Sequence, residues 1–253
     1  MEKSKVYFTK EITPESLIKI YEALGRELKG KVGVKISTGE PGGHNFLNPN
    51  LIKDLVNKLN GTIVECNTAY AGRRNTTEEH WKAIKEHGFL DIAKVDIMDE
   101  EGDMAIPVEN GFHLKEDYVG EHLKNYDSML ILSHFKGHAM AGFGGALKNI
   151  AIGIGSSRGK TWIHTAGKTQ VPEELFNNLP EQDHFLESMA DLGIYASTDP
   201  VALDQACYDA VVNAEDPGKV ALIERMNSRH GIRTVEAANE LGLGSREYEI
   251  VNI

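Results

Sequence analysis

Cysteine is nearly absent from this chain: Cys66 and Cys207 are the two in 253 residues. That scarcity excludes a disulfide scaffold, a cysteine-rich zinc site and a self-contained ferredoxin cluster, which needs a full set of thiolates. Both residues read as buried core thiols. Long apolar runs are missing too. No stretch approaches about 18 uncharged apolar residues, so none reads as a membrane span. The opening Met1-Glu2-Lys3-Ser4-Lys5 lacks the apolar region of a signal peptide, and the cytoplasm is the expected address. Nor is there a basic block. The 27 basic and 38 acidic residues leave a net charge of −11, and the densest cationic pair is Arg73-Arg74. A chain held by phosphates shows the opposite balance, so neither nucleic acid nor a membrane is an expected partner.

What is present suits a globular body with a real core: 41% apolar and 26% charged residues. Residues 31–36 and 62–66 are short runs rich in Val and Ile, and 128–133 reads as a strand buried on both faces. Thr13 and Pro14 open a first helix with Leu17, Tyr21, Leu24 and Leu28 on one stripe, ending at Lys29-Gly30. Asn48-Pro49 opens a second, with Leu51, Leu55 and Leu59 on its stripe and Asn60-Gly61 at its end. A capping box from Thr76 to Glu79 opens a third, which ends at His87-Gly88. This alternation predicts an α/β fold: a mostly parallel, Rossmann-like sheet flanked by helices, with right-handed crossovers.

Farther on, a Gly-rich stretch (137–159) and a polar, loop-like segment (161–182) precede helices opened by Asp199-Pro200, Asp216-Pro217 and Thr234, and a closing strand within 246–253. We expect one domain over 1–253 with a helical C-terminal part and a soft internal boundary near 160–185.

Open parallel sheets bind ligands beyond the carboxyl ends of their strands, so the loops there are the candidates. The first, 37–45, carries Gly39, Gly42 and Gly43 with His44 and Asn45; glycine lets the backbone come close to a ligand. A plain turn-rich connection explains it equally well. The second, 67–76, holds Asn67, Tyr70, Arg73 and Arg74. Paired guanidinium forks suit a carboxylate or phosphate, or are simply solvated. The third, 133–150, carries His134, Lys136, His138, Lys148 and Asn149 among Gly142, Gly144 and Gly145. Its histidines suit acid–base work or metal ligation, and a desolvated lysine becomes nucleophilic. Asp199 is explained as a helix cap, whereas Asp204, one turn later, reaches toward the crevice. Residues 162–164 are a candidate lid.

Four of these motifs in order resemble one family, domain of unknown function 362: the Gly39-Glu40-Pro41-Gly42 loop, the run from Asn67 to Arg74, the stretch from His134 through His138 to Lys148-Asn149, and the run from Ser197 to Gln205. The resemblance covers about Val32 to Tyr248. It implies a protein of the kind often labelled an uncharacterised iron–sulfur-centre protein. Many members carry a ferredoxin-like insertion after the Lys-Asn motif; here 163–183 contains no cysteine, so the label does not transfer to this chain. A shorter run, His138, then Gly142-Phe143-Gly144-Gly145, Lys148 and Gly153, is similar to a loop of nickel-pincer lactate racemases, with one extra residue before the lysine. In those enzymes the lysine anchors the pincer nucleotide and histidines serve as acid, base and metal ligand. Here the run marks where a site lies rather than which metal it holds.

The expected function is therefore an enzyme acting on a small anionic metabolite by isomerase, lyase or redox chemistry. Arg73 and Arg74 would hold the anion, His134 and His138 would move protons, and Lys148 would be nucleophile or electrostatic stabiliser. Lys136 and Asp204 join this catalytic group; Gly39, Gly43, His44, Asn67, Tyr70, Gly144, Gly145 and Asn149 are expected to bind the ligand. His134 and His138 are the candidate metal ligands, and a metal or nucleotide-derived cofactor is compatible with them. Two other readings stay open: an electron-transfer or carrier protein working with a separate ferredoxin, and a non-catalytic sensor or interaction protein.

Overall fold

Side-chain caps set five of the helix starts among the described residues. The computed structural model describes residues 3–176 and 189–253. In chain order they form β1 (Ser4–Thr9), α1 (Pro14–Ala23), β2 (Val32–Lys35), α2 (Pro49–Lys58), β3 (Thr62–Glu65), α3 (Thr77–Glu86), β4 (Lys94–Ile97), β5 (Asp103–Pro107), β6 (Glu116–Gly120), β7 (Ser128–Ile131), β8 (Lys136–His138), β9 (Gly142–Gly144), α4 (Ala146–Ile154), α5 (Ser157–His164), α6 (Pro172–Phe176), β10 (Ile194–Ala196), α7 (Pro200–Asn213), α8 (Lys219–Ser228), α9 (Arg233–Glu240) and β11 (Tyr248–Asn252). Thr13, Asn48 and Thr76 each accept a first-turn amide, and Pro14, Pro49 and Pro200 occupy first helical positions.

The chain divides into two compact units. The first comprises the described residues of Met1–Glu27, Ser133–Leu147 and Gln182–Ile253; the second is Leu28–Leu132 with Lys148–Glu181, as far as these are described. The division passes through α4, between Leu147 and Lys148.

The second unit is built on an all-parallel sheet of order β4-β3-β2-β7, with Gly33 opposite Thr62, Thr62 opposite Lys94 and Val32 opposite Ser128. Its central strands are the most apolar and the most buried, and Val32, Val34, Ile63 and Val64 are almost wholly inaccessible. Ile52, Leu55 and Val56 of α2 and Ala83 and Ile84 of α3 are buried as well. The β5–β6 hairpin belongs to this unit. Helix α5 approaches it so closely that a side chain at Gly159 would overlap the Tyr118 carbonyl oxygen.

In the first unit, β1 pairs in parallel with β11 and antiparallel with β10. Val6 joins Ala202 and Ala206 of α7 in one core cluster. Phe143, Val201, Val211, Leu222, Met226, Val235 and Ala238 tie β9 to the C-terminal helices in another. Asp199 is the α7 cap: it takes the Val201 and Ala202 amides at 2.9 and 3.1 Å and the Ser4 hydroxyl at 2.7 Å.

The expected α/β class, with its parallel sheet, flanking helices and helical C-terminal part, is what the structure has. Several details differ. Helix α1 stops at Ala23 because Gly25 takes a left-handed backbone (φ 60°), leaving Leu28 outside it. The buried stripe of α2 is Ile52, Leu55 and Val56 rather than Leu51, Leu55 and Leu59. Strand β7 is half-buried along its length, since it sits at the sheet edge. The Gly-rich stretch is the β8–β9 hairpin followed by α4, and 157–164 is helix α5, opened by a Ser156 cap that glycine composition had masked. Residues 177–182 of the expected polar segment lie outside the described residues.

Candidate functional site

Two charged side chains sit in the middle of the most apolar strands. Lys35 ends β2 and Glu65 ends β3, at 1% and 3% exposure, and their Nζ and Oε1 atoms are 3.4 Å apart. Lys35 also donates to the Ile36 carbonyl and, at 3.0 Å, to Asn149 Oδ1. Asn149 is itself anchored at the sheet end, giving its amide to the Leu132 and Lys35 carbonyls at 3.1 and 3.3 Å. Glu65 accepts from the Thr38 amide at 3.3 Å and from Arg74 Nη1 at 3.2 Å, and lies 3.2 Å from His80 Nε2. Burial works against the Glu65 carboxylate. Lys35, the His80 hydrogen bond and Arg74 overcome it and hold the group well below the usual carboxylate range. Burial pulls Lys35 down, against the attraction of Glu65.

Further polar groups complete the network. His80 is fully buried, with Nδ1 3.0 Å from Asn67 Oδ1. Asn67 passes its own amide to Thr77 Oγ1 at 3.0 Å. Lys160, on α5, donates to the Asn67 and Gly155 carbonyls at 2.7 and 2.6 Å. The outward edge of Arg74, Nε and Nη2, grips one oxygen of Glu40, a half-exposed carboxylate on the Gly39 loop. Arg74 therefore faces two ways: its inner edge is fixed in the core, and its outer edge holds a carboxylate that solvent can reach.

The expected residues of the second unit fall around this network unevenly. Asn67 and Asn149 are within it, as is Arg74. Tyr70 is largely buried, and burial raises its phenol despite the nearby Arg74. Arg73 points elsewhere: its guanidinium is engaged at the surface by Glu86 at 2.7 Å and Glu79 at 3.2 Å. Gly39 has φ 82°, and a side chain there would strike Phe46 at 2.8 Å. Gly43 and His44 line a depression of about 480 Å³ with Phe46 and His87. His87 stacks on Phe46 at 4.1 Å and meets the Thr38 carbonyl at 2.6 Å. Lys148 is half-buried on α4. Its charge, with that of Lys160, adds to burial in lowering the His164 imidazole to about 4, so His164 is a neutral base at pH 7.

His134, Lys136, His138, Gly144, Gly145 and Asp204 belong to the first unit. Lys136 and Gly144 are paired across the β8–β9 hairpin. His138 Nδ1 accepts the Met140 and Ala141 amides at 3.2 and 3.1 Å, which fixes the ring against its own turn. His134 Nε2 lies 3.5 Å from Asp191, and its Nδ1 is buried with no hydrogen-bond partner among the described residues. Asp204 accepts the Ala146 and Leu147 amides at 2.7 and 2.9 Å, capping α4 from a distant helix, and burial raises it to about 6 in spite of both donors. A side chain at Gly145 would displace it, meeting Oδ1 at 2.3 Å.

Lys35, Glu65, His80 and Lys160 were absent from the expected set. The cue was available for two of them: a lysine and a glutamate closing the strands Val-Gly-Val-Lys and Thr-Ile-Val-Glu, where a parallel sheet has no room for an unpaired charge. His80 and Lys160 carry no comparable local signal.

Fold and cluster together define an α/β protein with a buried ionic network at the carboxyl end of its parallel sheet. The model of the domain of unknown function DUF362 matches residues 32–193, more than half of the chain, and the protein belongs to that family. No curated protein matches it. Among solved structures the chain is similar to the lactate racemase apoprotein from Thermoanaerobacterium thermosaccharolyticum, with 17% identity and a TM-score of 0.42 over 64% of this chain and 41% of that one. The chain thus spans less than half the length of that protein, and no residue role follows from so distant a likeness.

The cysteines do not fit an iron–sulfur cluster. Cys66 is buried, donates to the Ile154 carbonyl at 3.3 Å and has its thiol pushed up to about 12 by burial. Cys207 belongs to the other unit and is likewise raised by burial. Cys207 is half-buried rather than a core residue, and protonated thiols are poor ligands in either setting.

Proposed function

We propose that this protein is an enzyme acting on a small anionic metabolite, bound at the carboxyl end of the β2–β3 pair in the second unit. One observation carries the reading: the outer edge of the buried Arg74 already holds a carboxylate, that of Glu40. A guanidinium fixed from behind by Glu65 presents a planar fork suited to a carboxylate or phosphate. Glu40, half-exposed on a loop containing Gly39 and Gly42, is a competitor that a substrate anion would displace. In this reading Lys148 of α4 supplies further positive charge, and the neutral His164 of α5 is assigned the task of accepting a proton from carbon next to the anionic group. Isomerase or lyase chemistry starts from such a step. We assign the work to a cytoplasmic setting; among the described residues, no helix is long and apolar enough to cross a membrane.

The test is a panel of small carboxylates and phosphate esters, followed by thermal shift and by deuterium uptake from heavy water. At least one carboxylate or phosphate should raise the melting midpoint. The rise should be larger in Glu40→Gln, which weakens the competitor while leaving the Arg74–Glu65 pair in place. The bound compound should exchange its α-proton, and His164→Asn should abolish that exchange without abolishing binding. If no anion shifts either protein, or if Glu40→Gln leaves a shift unchanged, the assignment of the site to Arg74 fails.

A further inference from the structure

A second constellation lies apart from the ionic network, where β4 runs into an acidic turn, Asp96-Ile97-Met98-Asp99-Glu100-Glu101. The one-turn 3-10 helix Glu121–Asn125 approaches this turn, and the approach depends on Gly120: a side chain there would lie 2.7 Å from the Met98 backbone. The contact is fixed by the His122 amide donating to the Met98 carbonyl at 3.0 Å, and it brings His122 over the end of β4. As a result Asp96, Glu100 and His122 each offer one ligand atom, and the three atoms lie within 4.8 Å of one another.

We propose that Asp96, Glu100 and His122 form a binding site for a divalent first-row cation of the zinc and manganese class. Proximity alone would not carry this, because acidic groups gather on many surfaces. The outward-facing atoms make the difference. Asp96 Oδ2 accepts from the Tyr126 hydroxyl at 2.6 Å, Glu100 Oε2 accepts from Trp81 Nε1 at 2.9 Å, and His122 Nε2 faces Glu101 Oε2 at 3.2 Å. Each of the three residues is therefore held at one atom by a partner outside the trio, while a ligand atom from each lies within 4.8 Å of the others. Orientation of an imidazole by a carboxylate on its far nitrogen, and of ligating carboxylates by hydrogen-bond donors, is the usual supporting shell of a metal site.

One imidazole with two carboxylates suits zinc or manganese better than a soft, thiolate-seeking ion or an all-oxygen calcium cage. Asp96 and His122 are mostly buried, at 16% and 14% side-chain exposure, while Glu100 is exposed. That leaves an open side for water to complete the coordination sphere. Without a cation, His122 Nδ1 meets Asp96 Oδ1 directly at 2.8 Å; the cation would insert between them.

The experiment is calorimetric titration of Zn²⁺, with Mn²⁺ in parallel, into the full chain stripped with chelator. Trp81 fluorescence is followed in the same samples. One saturable site is expected, with a change in Trp81 emission. Glu100→Gln should weaken it by roughly 10-fold or more, and so should Trp81→Phe, since supporting partners are worth about 10–100-fold in affinity. Glu100 is exposed, so loss of fold does not confuse that result. His122→Asn should abolish binding, whereas His113→Asn, at an exposed histidine elsewhere, should not. Absence of saturable binding by either cation overturns the proposal. So does binding that Glu100→Gln and His122→Asn leave unchanged.

Discussion

Glu65 in the second unit and Asp204 in the first are both buried carboxylates, at 3% and 1% exposure, yet their environments drive them in opposite directions. Glu65 lies among Lys35, Arg74 and His80 and is held ionised far into acid. Among the described residues no cation acts on Asp204; burial raises it to about 6 against two amide donors at the start of α4. Depth of burial thus says little about charge. What decides is whether the compensation is a full opposite charge or a pair of backbone dipoles. The second unit commits ions to the end of its sheet, whereas the first uses a carboxyl group as a structural clamp.

The sharpest way to break this comparison is to neutralise Glu65. Glu65→Gln leaves Lys35 and Arg74 buried without their shared anion, and we expect a loss of about 3–5 kcal/mol in urea unfolding. Adding Lys35→Met should recover part of it; a single variant within about 1 kcal/mol of the parent would show the network to be energetically idle.

Removing the other carboxylate should cost less. Asp204→Ala strands two amides, for an expected loss of about 2–3 kcal/mol. Asp204→Asn keeps an acceptor and should lose less, but it tests the charge. Because the folded value is raised, the Asp204 contribution is complete below the ordinary carboxyl value and lost as pH rises through about 6. The stability difference between parent and Asn variant should therefore shrink over that window.

His164 gives the opposite slope, over a comparable span of pH. Its folded value is lowered to about 4, so its contribution is present above the ordinary imidazole value and fades as pH falls through about 4. An NMR titration of the ring should find that midpoint, and Lys148→Ala should raise it by removing a neighbouring charge. The smallest effect belongs to Arg73. Its partners are all at the surface, so Arg73→Ala should leave the thermal midpoint unchanged within error while Arg74→Ala lowers it clearly.

Much of the scaffold was legible along the chain. Strand–helix alternation announced the parallel sheet, and the caps Thr13, Asn48, Thr76 and Asp199 marked helix starts, because hydrogen bonds between neighbours in sequence make such signals. Helix ends and faces were less clear: Gly25 ended α1 early, and which leucines of α2 face inward depended on what packs there. The candidate site was legible only in part. Arg74, Asn67 and Asn149 were recognised from loop composition, but Arg73 looked equivalent to Arg74 until the fold turned one guanidinium outward and the other into the core.

The sequence by itself determined the fold class, the starts of the capped helices α1, α2, α3 and α7 and the scarcity of thiols, since local hydrogen bonding, hydrophobic period and residue counts carry that information. Tertiary structure alone decided which charges meet: Lys35 with Glu65 and Asn149, Asp204 with the start of α4, His122 with Asp96. Those partners are 26 to 114 positions apart in the chain. The energy of an ionisable group depends on the charge and dielectric within a few ångströms of it, and only folding sets that neighbourhood.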